Sequence, residues 1–195
     1  MDPKITVGIT GGIGTGKSMV CRILYIMGYP VFYSDQEARS ILNTDPESIQ
    51  KVKSLFGAEA YQGNFLNPKF IAEQVFNNSE LLDSLNTIVH PKVRIAFENW
   101  QKNQSSQIVF DEAAILFETG AFKNFDFTIL VTSPLPLRIK RVMDRDKITE
   151  DQVNKRISKQ WPDEKKIPLA DFVIKNDEVT LVIPQILTVL KNLKK

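Results

Sequence analysis

Cysteine is nearly missing from this chain: Cys21 stands alone among 195 residues. A single thiol excludes an internal disulfide and a cysteine-cluster metal site. It fits a reducing, cytoplasmic compartment. Histidine is as scarce, with His90 the only one. No run of 18 apolar residues occurs, so no membrane-spanning helix is expected. The opening MDPKITVGIT has no charged leader followed by an apolar run, so no signal peptide is expected either. Charge of one sign is lacking too. A net charge of +2 gives no global field that calls for nucleic acid or a membrane surface. There is no internal repeat and no low-complexity tail.

What is present is ordinary for a globular chain: 43% hydrophobic and 25% charged residues. The length suits one domain with insertions. Short apolar runs alternate with helical patterns. Strands are expected at Ile5–Thr10, Val31–Tyr33, Gln107–Phe110, Phe127–Thr132 and Phe172–Ile174. Helices are expected at Lys17–Met27, Asp35–Leu42, Ile88–Trp100, Pro134–Arg145 and Glu150–Gln160, and from Val179 onward. His90-Pro91 is expected in a first turn, where proline is tolerated. Strand–helix alternation implies an α/β fold with a five-stranded parallel sheet covered on both faces. The chain divides into a core (1–43, 106–133 and 166–195), an α-helical insertion (44–105) and a helical lid (134–165).

The most informative stretch is GITGGIGTGKS, with five glycines in eleven positions. Gly11, Gly16, Lys17 and Ser18 fit G-x-x-x-x-G-K-[ST], between a strand and a helix as that phosphate loop requires. Glycines let backbone N–H groups turn inward onto phosphate. The helix N-terminus adds unsatisfied donors and partial positive charge. Lys17 supplies a full charge, and the Ser18 hydroxyl can ligate Mg²⁺. Gly12, Ile13, Gly14, Thr15, Gly16, Lys17 and Ser18 are the expected ATP-binding residues.

Residues 138 to 166 hold ten of the 25 basic residues. Arg138, Arg141 and Arg145 share one helical face, and Arg156 and Gln160 share the next. Interleaved acids allow a solvated face, but beside a phosphate loop these arginines suit a lid on triphosphate. Asp35 follows the second strand. It serves either as a helix N-cap or as the carboxylate that orients an attacking hydroxyl. Glu118 reads equally as a surface charge, and a lone histidine is ordinarily structural. Cys21 and most phenylalanines read as core. No Asn-Lys-x-Asp base-reading motif occurs, which disfavours a nucleotide switch and favours a small-molecule kinase.

The chain resembles the dephospho-coenzyme A kinases. Thr10 to Ser18 is similar to that family's loop, which usually has Ser at position 15. Asp35-Gln36-Glu37-Ala38-Arg39 is similar to its D-x-x-A-R, and His90-Pro91 to its His-Pro. Leu116-Phe117-Glu118 is similar to the end of its P-L-L-F-E. Arg141, Arg145-Asp146 and Gln160 are similar to its lid, and Ala170 to Asn176 to its A-D-x-V-I-x-N. The blocks keep order and spacing from residue 5 to 176. Ala114 replaces a usual Pro, Tyr33 a frequent Asp, and Asp177-Glu178 a usual residue–Gly.

The resemblance implies transfer of the ATP γ-phosphoryl group to the ribose 3′-hydroxyl of dephospho-coenzyme A. It implies Asp35, Lys17 and Arg141 as catalytic residues, and Asp35, Arg39, His90 and Glu118 at the acceptor. Arg145 and Asn176 join the nucleotide side, with Ser18 on Mg²⁺. Phe65, Phe70 and Phe76 become candidates for a groove taking the pantetheine arm. The implied partners are small molecules only, with a monomer as the simplest state. Kinases of a nucleoside monophosphate or a sugar acid share this fold, so only the acceptor site separates them.

Overall fold

The computed structural model describes residues 3–76 and 78–194. The chain forms two compact units, residues 1–32 with 104–195, and residues 33–103. The stretch expected to be a lid falls within the first unit. Asp35 and Arg39 fall within the second.

The sheet has the order β2-β5-β1-β6-β7. Its strands are β1 (Ile5–Thr10), β2 (Val31–Tyr33), β5 (Ile108–Glu112), β6 (Phe127–Thr132) and β7 (Phe172–Lys175). β1 runs parallel to β5 and β6, and β6 runs parallel to β7. Central strands covered on both faces read as nearly continuous apolar runs. Accordingly Val7, Ile9, Val109, Phe110, Leu130 and Val131 are sealed from solvent.

Two aspartates fasten strand entries. Thr6 donates to Asp126 Oδ2 from both N and Oγ1 at 2.8 Å. Thr128 treats Asp171 Oδ2 in the same way, also at 2.8 Å. The aspartate of the A-D-x-V-I-x-N block is therefore a strand fastener.

Helix α1 (Lys17–Ile26) buries Val20, Cys21 and Leu24. Burial pushes the Cys21 thiol up to about 12, so it stays protonated in the core. The C-terminal helix α9 (Val182–Leu193) buries Ile186, Val189, Leu190 and Leu193. Pro184 lies in its first turn, where proline is tolerated. Between β6 and β7 come α6 (Leu135–Asp146), α7 (Glu150–Ile157) and α8 (Asp163–Lys166). A capping box at Thr149 and Gln152 starts α7.

The second unit comprises α2 (Ser34–Thr44), α3 (Pro46–Phe56), a hairpin of β3 (Tyr61–Gln62) and β4 (Phe65–Leu66), α4 (Pro68–Val75) and α5 (Ser79–Lys102). It has its own core of Ile41, Leu42, Val52, Ala60, Tyr61, Ile71 and Val89. The Tyr61 hydroxyl donates to the Leu42 carbonyl at 2.8 Å. Asp45 caps α3 by accepting from Ser48 N at 2.8 Å, and Lys92 on α5 meets the same carboxylate at 2.8 Å.

α5 corrects the sequence reading. It starts nine residues before Ile88, capped by Asn78, and Pro91 lies inside it. Proline there cannot donate to the Thr87 carbonyl, which costs about 3 kcal/mol in an isolated helix. Leu85, Ile88, Val89 and Val93 pack on the module core and outweigh that loss. Phe70 joins this core, whereas Phe65 and Phe76 are exposed.

Candidate active site

The loop between β1 and α1 has every carbonyl from Gly11 to Thr15 held by a donor. Lys17 Nζ donates to Gly11 O at 2.9 Å. Thr15 donates to Gly12 O from Oγ1 at 2.8 Å and from N at 3.2 Å. Arg138 Nε donates to Ile13 O at 3.0 Å, and Arg141 Nη1 to Gly14 O at 3.4 Å. Asn176 Nδ2 donates to Thr15 O at 2.8 Å. The Ile13 and Thr15 N–H groups are also engaged within the protein, so a ligand meets the N–H groups towards the start of α1. The N–H groups of Lys17 and Ser18 open α1 and have no intrahelical acceptor. This is the arrangement that binds phosphate.

Two glycines are required by what approaches them. Gly14 has φ 79°, and a Cβ there would sit 2.6 Å from the Arg138 carbonyl. Gly16 has φ 92°, and its missing Cβ leaves room for the Asn176 amide. Both conformations lie in the left-handed region that other residues rarely adopt.

Lys17 also lies 3.6 Å from Glu112 Oε1 at the end of β5. The sequence reading passed over Glu112 and its buried neighbour Asp111. The signal was the pair of acids closing the apolar run IVFDE, at the carboxyl edge where such sheets bind ligands. The Ser18 hydroxyl is on an exposed residue at the start of α1. Ser18 and Glu112 offer the hard oxygens that suit Mg²⁺. Among the described residues no three His, Cys, Asp or Glu side chains converge as a metal cage. An ion held by Ser18 and Glu112 would take its remaining ligands from phosphate and water.

The arginine face of α6 divides by depth. Arg138 is buried, holding Ile13 and lying 3.6 Å from Asp163 Oδ2. Arg141 reaches Gly14 O, Ser133 Oγ at 3.1 Å, Asn176 O at 3.2 Å and Glu178 Oε1 at 3.1 Å. Arg145 is exposed and bidentate to Asp146, which Arg156 Nη1 also meets at 2.6 Å. Arg138 and Arg141 thus touch the phosphate loop, and Arg145 touches its neighbour Asp146. Glu178 adopts φ 66° where the resemblance would place glycine, and its carboxylate faces Arg141.

Glu118 is inward. Its Oε1 accepts from Trp161 N at 3.0 Å and lies 2.8 Å from the ammonium of Lys166, which is fully buried. Sequence alone gave no sign of this partner, 48 positions away. Ala114, another departure from the family pattern, offers its carbonyl to Gln160 Nε2 at 3.3 Å.

In the second unit, Asp35 and Arg39 stand on the exposed side of α2, and His90 on α5. Asp35 is close enough to His90 to act on its titration. Packing around the imidazole lowers its pKa, and the Asp35 carboxylate opposes that shift. α2 and α5 thus bring together two of the four residues expected at the acceptor.

The dephospho-CoA kinase family pattern matches residues 5–181. A dephospho-CoA kinase of Bacteroides fragilis is 40% identical over 184 residues, which cover 94% of this chain and 90% of the relative. The crystal structure of TT1252 from Thermus thermophilus superposes with a TM-score of 0.85 at 33% identity, covering 98% of this chain and 96% of that one. A dephospho-CoA kinase from Campylobacter jejuni gives a TM-score of 0.65 at 27% identity, with 96% of each chain covered. The chain belongs to the dephospho-CoA kinase family.

Proposed function

We infer that this protein transfers the γ-phosphoryl group of ATP to the ribose 3′-hydroxyl of dephospho-coenzyme A, giving coenzyme A and ADP as the last step of coenzyme A synthesis. The observation that carries the reading is the phosphate loop with all five carbonyls turned to donors, in a chain of this family.

Each residue then has a task. The N–H groups at the start of α1 and the Lys17 ammonium hold the triphosphate. Mg²⁺, bound with the nucleotide, would neutralise charge on the β- and γ-phosphates, with the Ser18 hydroxyl as its protein ligand. Asp35 accepts or orients the proton of the attacking hydroxyl, and Arg39 and His90 bind the acceptor beside it. Arg141 neutralises charge developing on the transferred group, where a planar guanidinium is more effective than an ammonium. To do so it exchanges Glu178 for phosphate.

The remaining assignments follow chemistry. No helix among the described residues is long and apolar enough to cross a membrane. With one buried, protonated thiol, the protein suits the cytoplasm. The direct test is product formation: purified protein, ATP, Mg²⁺ and dephospho-coenzyme A should yield coenzyme A, carrying one added phosphate on the 3′-oxygen. Phosphate appearing elsewhere on the acceptor would refute the assignment.

A further inference from the structure

Ile13 in the phosphate loop is gripped on both sides, one bond on each of its two peptide groups. Its carbonyl accepts from Arg138 Nε at 3.0 Å, and its N–H donates to Gln160 Oε1 at 2.8 Å. The other end of the same carboxamide, Gln160 Nε2, donates to the Ala114 carbonyl at 3.3 Å. One side chain therefore bridges the phosphate loop and the segment after β5. The Ala114 carbonyl also lies 3.4 Å from Thr10 Oγ1 at the end of β1.

The backbone that carries Gln160 is itself pinned. Trp161 N donates to Glu118 Oε1, and that carboxylate is paired with the buried Lys166 ammonium. A buried ion pair is weak evidence for stability, since its desolvation offsets its attraction. Here it fixes the position of the chain next to Gln160. The Glu118 Oε2 and Lys166 Nζ atoms have no aligned hydrogen bond, so the contact holds the backbone without completing a polar network.

We propose that Gln160 is a positioning residue for nucleotide binding, setting the orientation of the Gly12–Ile13 peptide and through it the Gly14 N–H that follows in the loop. The peptide group is planar, so fixing the Gly12–Ile13 plane leaves only φ and ψ of Ile13 to direct the Gly14 N–H. Arg138 holds the Ile13 carbonyl, which shares a plane with that N–H, so Gln160 and Arg138 together set the planes on both sides of Ile13, just ahead of Gly14, the residue with the widest conformational choice. With Ile13 N–H engaged by Gln160 and Thr15 N–H by the Gly12 carbonyl, these two donors are withheld from the cradle, and the plane set at Ile13 aims the Gly14 N–H between them. The proposal rests on the loop holding a nucleotide, not on which acceptor receives the phosphoryl group.

The test is affinity for a non-hydrolysable ATP analogue with Mg²⁺, measured by calorimetry. Gln160→Met keeps length and loses both hydrogen bonds, and should weaken binding about tenfold. Its melting temperature should stay near that of the wild type. Gln160→Glu gives a sharper readout. A protonated carboxyl has one acceptor and one donor, as the carboxamide does, whereas a carboxylate turns an acceptor on the Ala114 carbonyl. Relative to wild type at each pH, Gln160→Glu should bind poorly near about pH 8, where its carboxylate is ionised, and better as the pH falls towards about 5, where the protonated fraction grows. Wild-type affinity in Gln160→Met, or a Gln160→Glu ratio flat with pH, would overturn the proposal. Should wild-type protein fail to phosphorylate dephospho-coenzyme A while this pattern holds, the acceptor assignment falls and the positioning role stands.

Discussion

Lys166 is fully buried, and its ammonium lies 2.8 Å from Glu118 Oε1, whose side chain is only 12% exposed. Lys166→Met leaves a buried carboxylate without its cation, which should destabilise the fold by about 3–5 kcal/mol. Adding Glu118→Gln removes that orphaned charge and keeps an oxygen for Trp161 N–H. The double variant should therefore be more stable than Lys166→Met alone. Urea denaturation of the three proteins measures it. Losses that simply add would show that the two groups do not act as a pair.

Asn176 ties β7 to the phosphate loop through its bond to Thr15 O. Asn176→Ala should leave that carbonyl without its donor and weaken ATP binding by about fivefold to tenfold. Gly16→Ala should be worse, because the new methyl meets the Asn176 amide and the backbone sits at φ 92°. Combining the two substitutions should relieve the clash and not the backbone strain. Calorimetric titration with the nucleotide ranks the three; equal affinities would contradict the geometry.

His90 is the sole histidine, so its ring gives one assignable NMR titration. Packing lowers its pKa below 6.5, and Asp35 pulls in the opposite direction. Removing the carboxylate removes the upward pull, so Asp35→Asn should lower the His90 pKa further. The same variant should cut kcat by orders of magnitude with little change in ATP affinity, as expected of a group that orients the attacking hydroxyl. A His90 titration unmoved by Asp35→Asn would separate the two residues. A fall in melting temperature with kcat spared would make Asp35 a helix-end residue only.

Asp45 gives the second unit a contribution to stability that acid removes. The Lys92 ammonium, with Ser48, holds its carboxyl at about 2, down from 3.8. A depressed carboxyl contributes stability that is present above its ordinary pKa and lost as pH falls through its folded value. The contribution should therefore fade between 3.8 and about 2. Lys92→Met should move the Asp45 carboxyl back up and shift that loss to higher pH, as ¹³C titration of the carboxyl carbon would read. An Asp45 titration indifferent to Lys92 would contradict the pairing.

The parts legible in sequence are those whose signal is local. The Gly11–Ser18 spacing between an apolar run and an amphipathic helix placed the phosphate loop without any long-range information. The five apolar runs placed the sheet, because strands buried on both faces need no alternation. Pro91 misled, since its local preference for a first turn was outweighed by packing of Leu85, Ile88, Val89 and Val93. The two-residue strands of the hairpin around Gly63 are too short to carry a period. The arginine spacing on α6 was visible, but not which members reach the loop. Arg138 is distinguished by Ile13, far away in sequence, and Arg145 by an adjacent aspartate. Glu118 resembled a surface charge because its partner Lys166 is supplied only by the fold.

Acceptor choice tests the account most directly. ADP release should be measured with Mg²⁺-ATP and, in turn, dephospho-coenzyme A, AMP, gluconate and no acceptor, using wild-type protein and Lys17→Ala. Turnover should be rapid with dephospho-coenzyme A alone, and should be lost in a folded Lys17→Ala. Turnover accelerated by AMP or gluconate and not by dephospho-coenzyme A, or near-normal activity in Lys17→Ala, would contradict it.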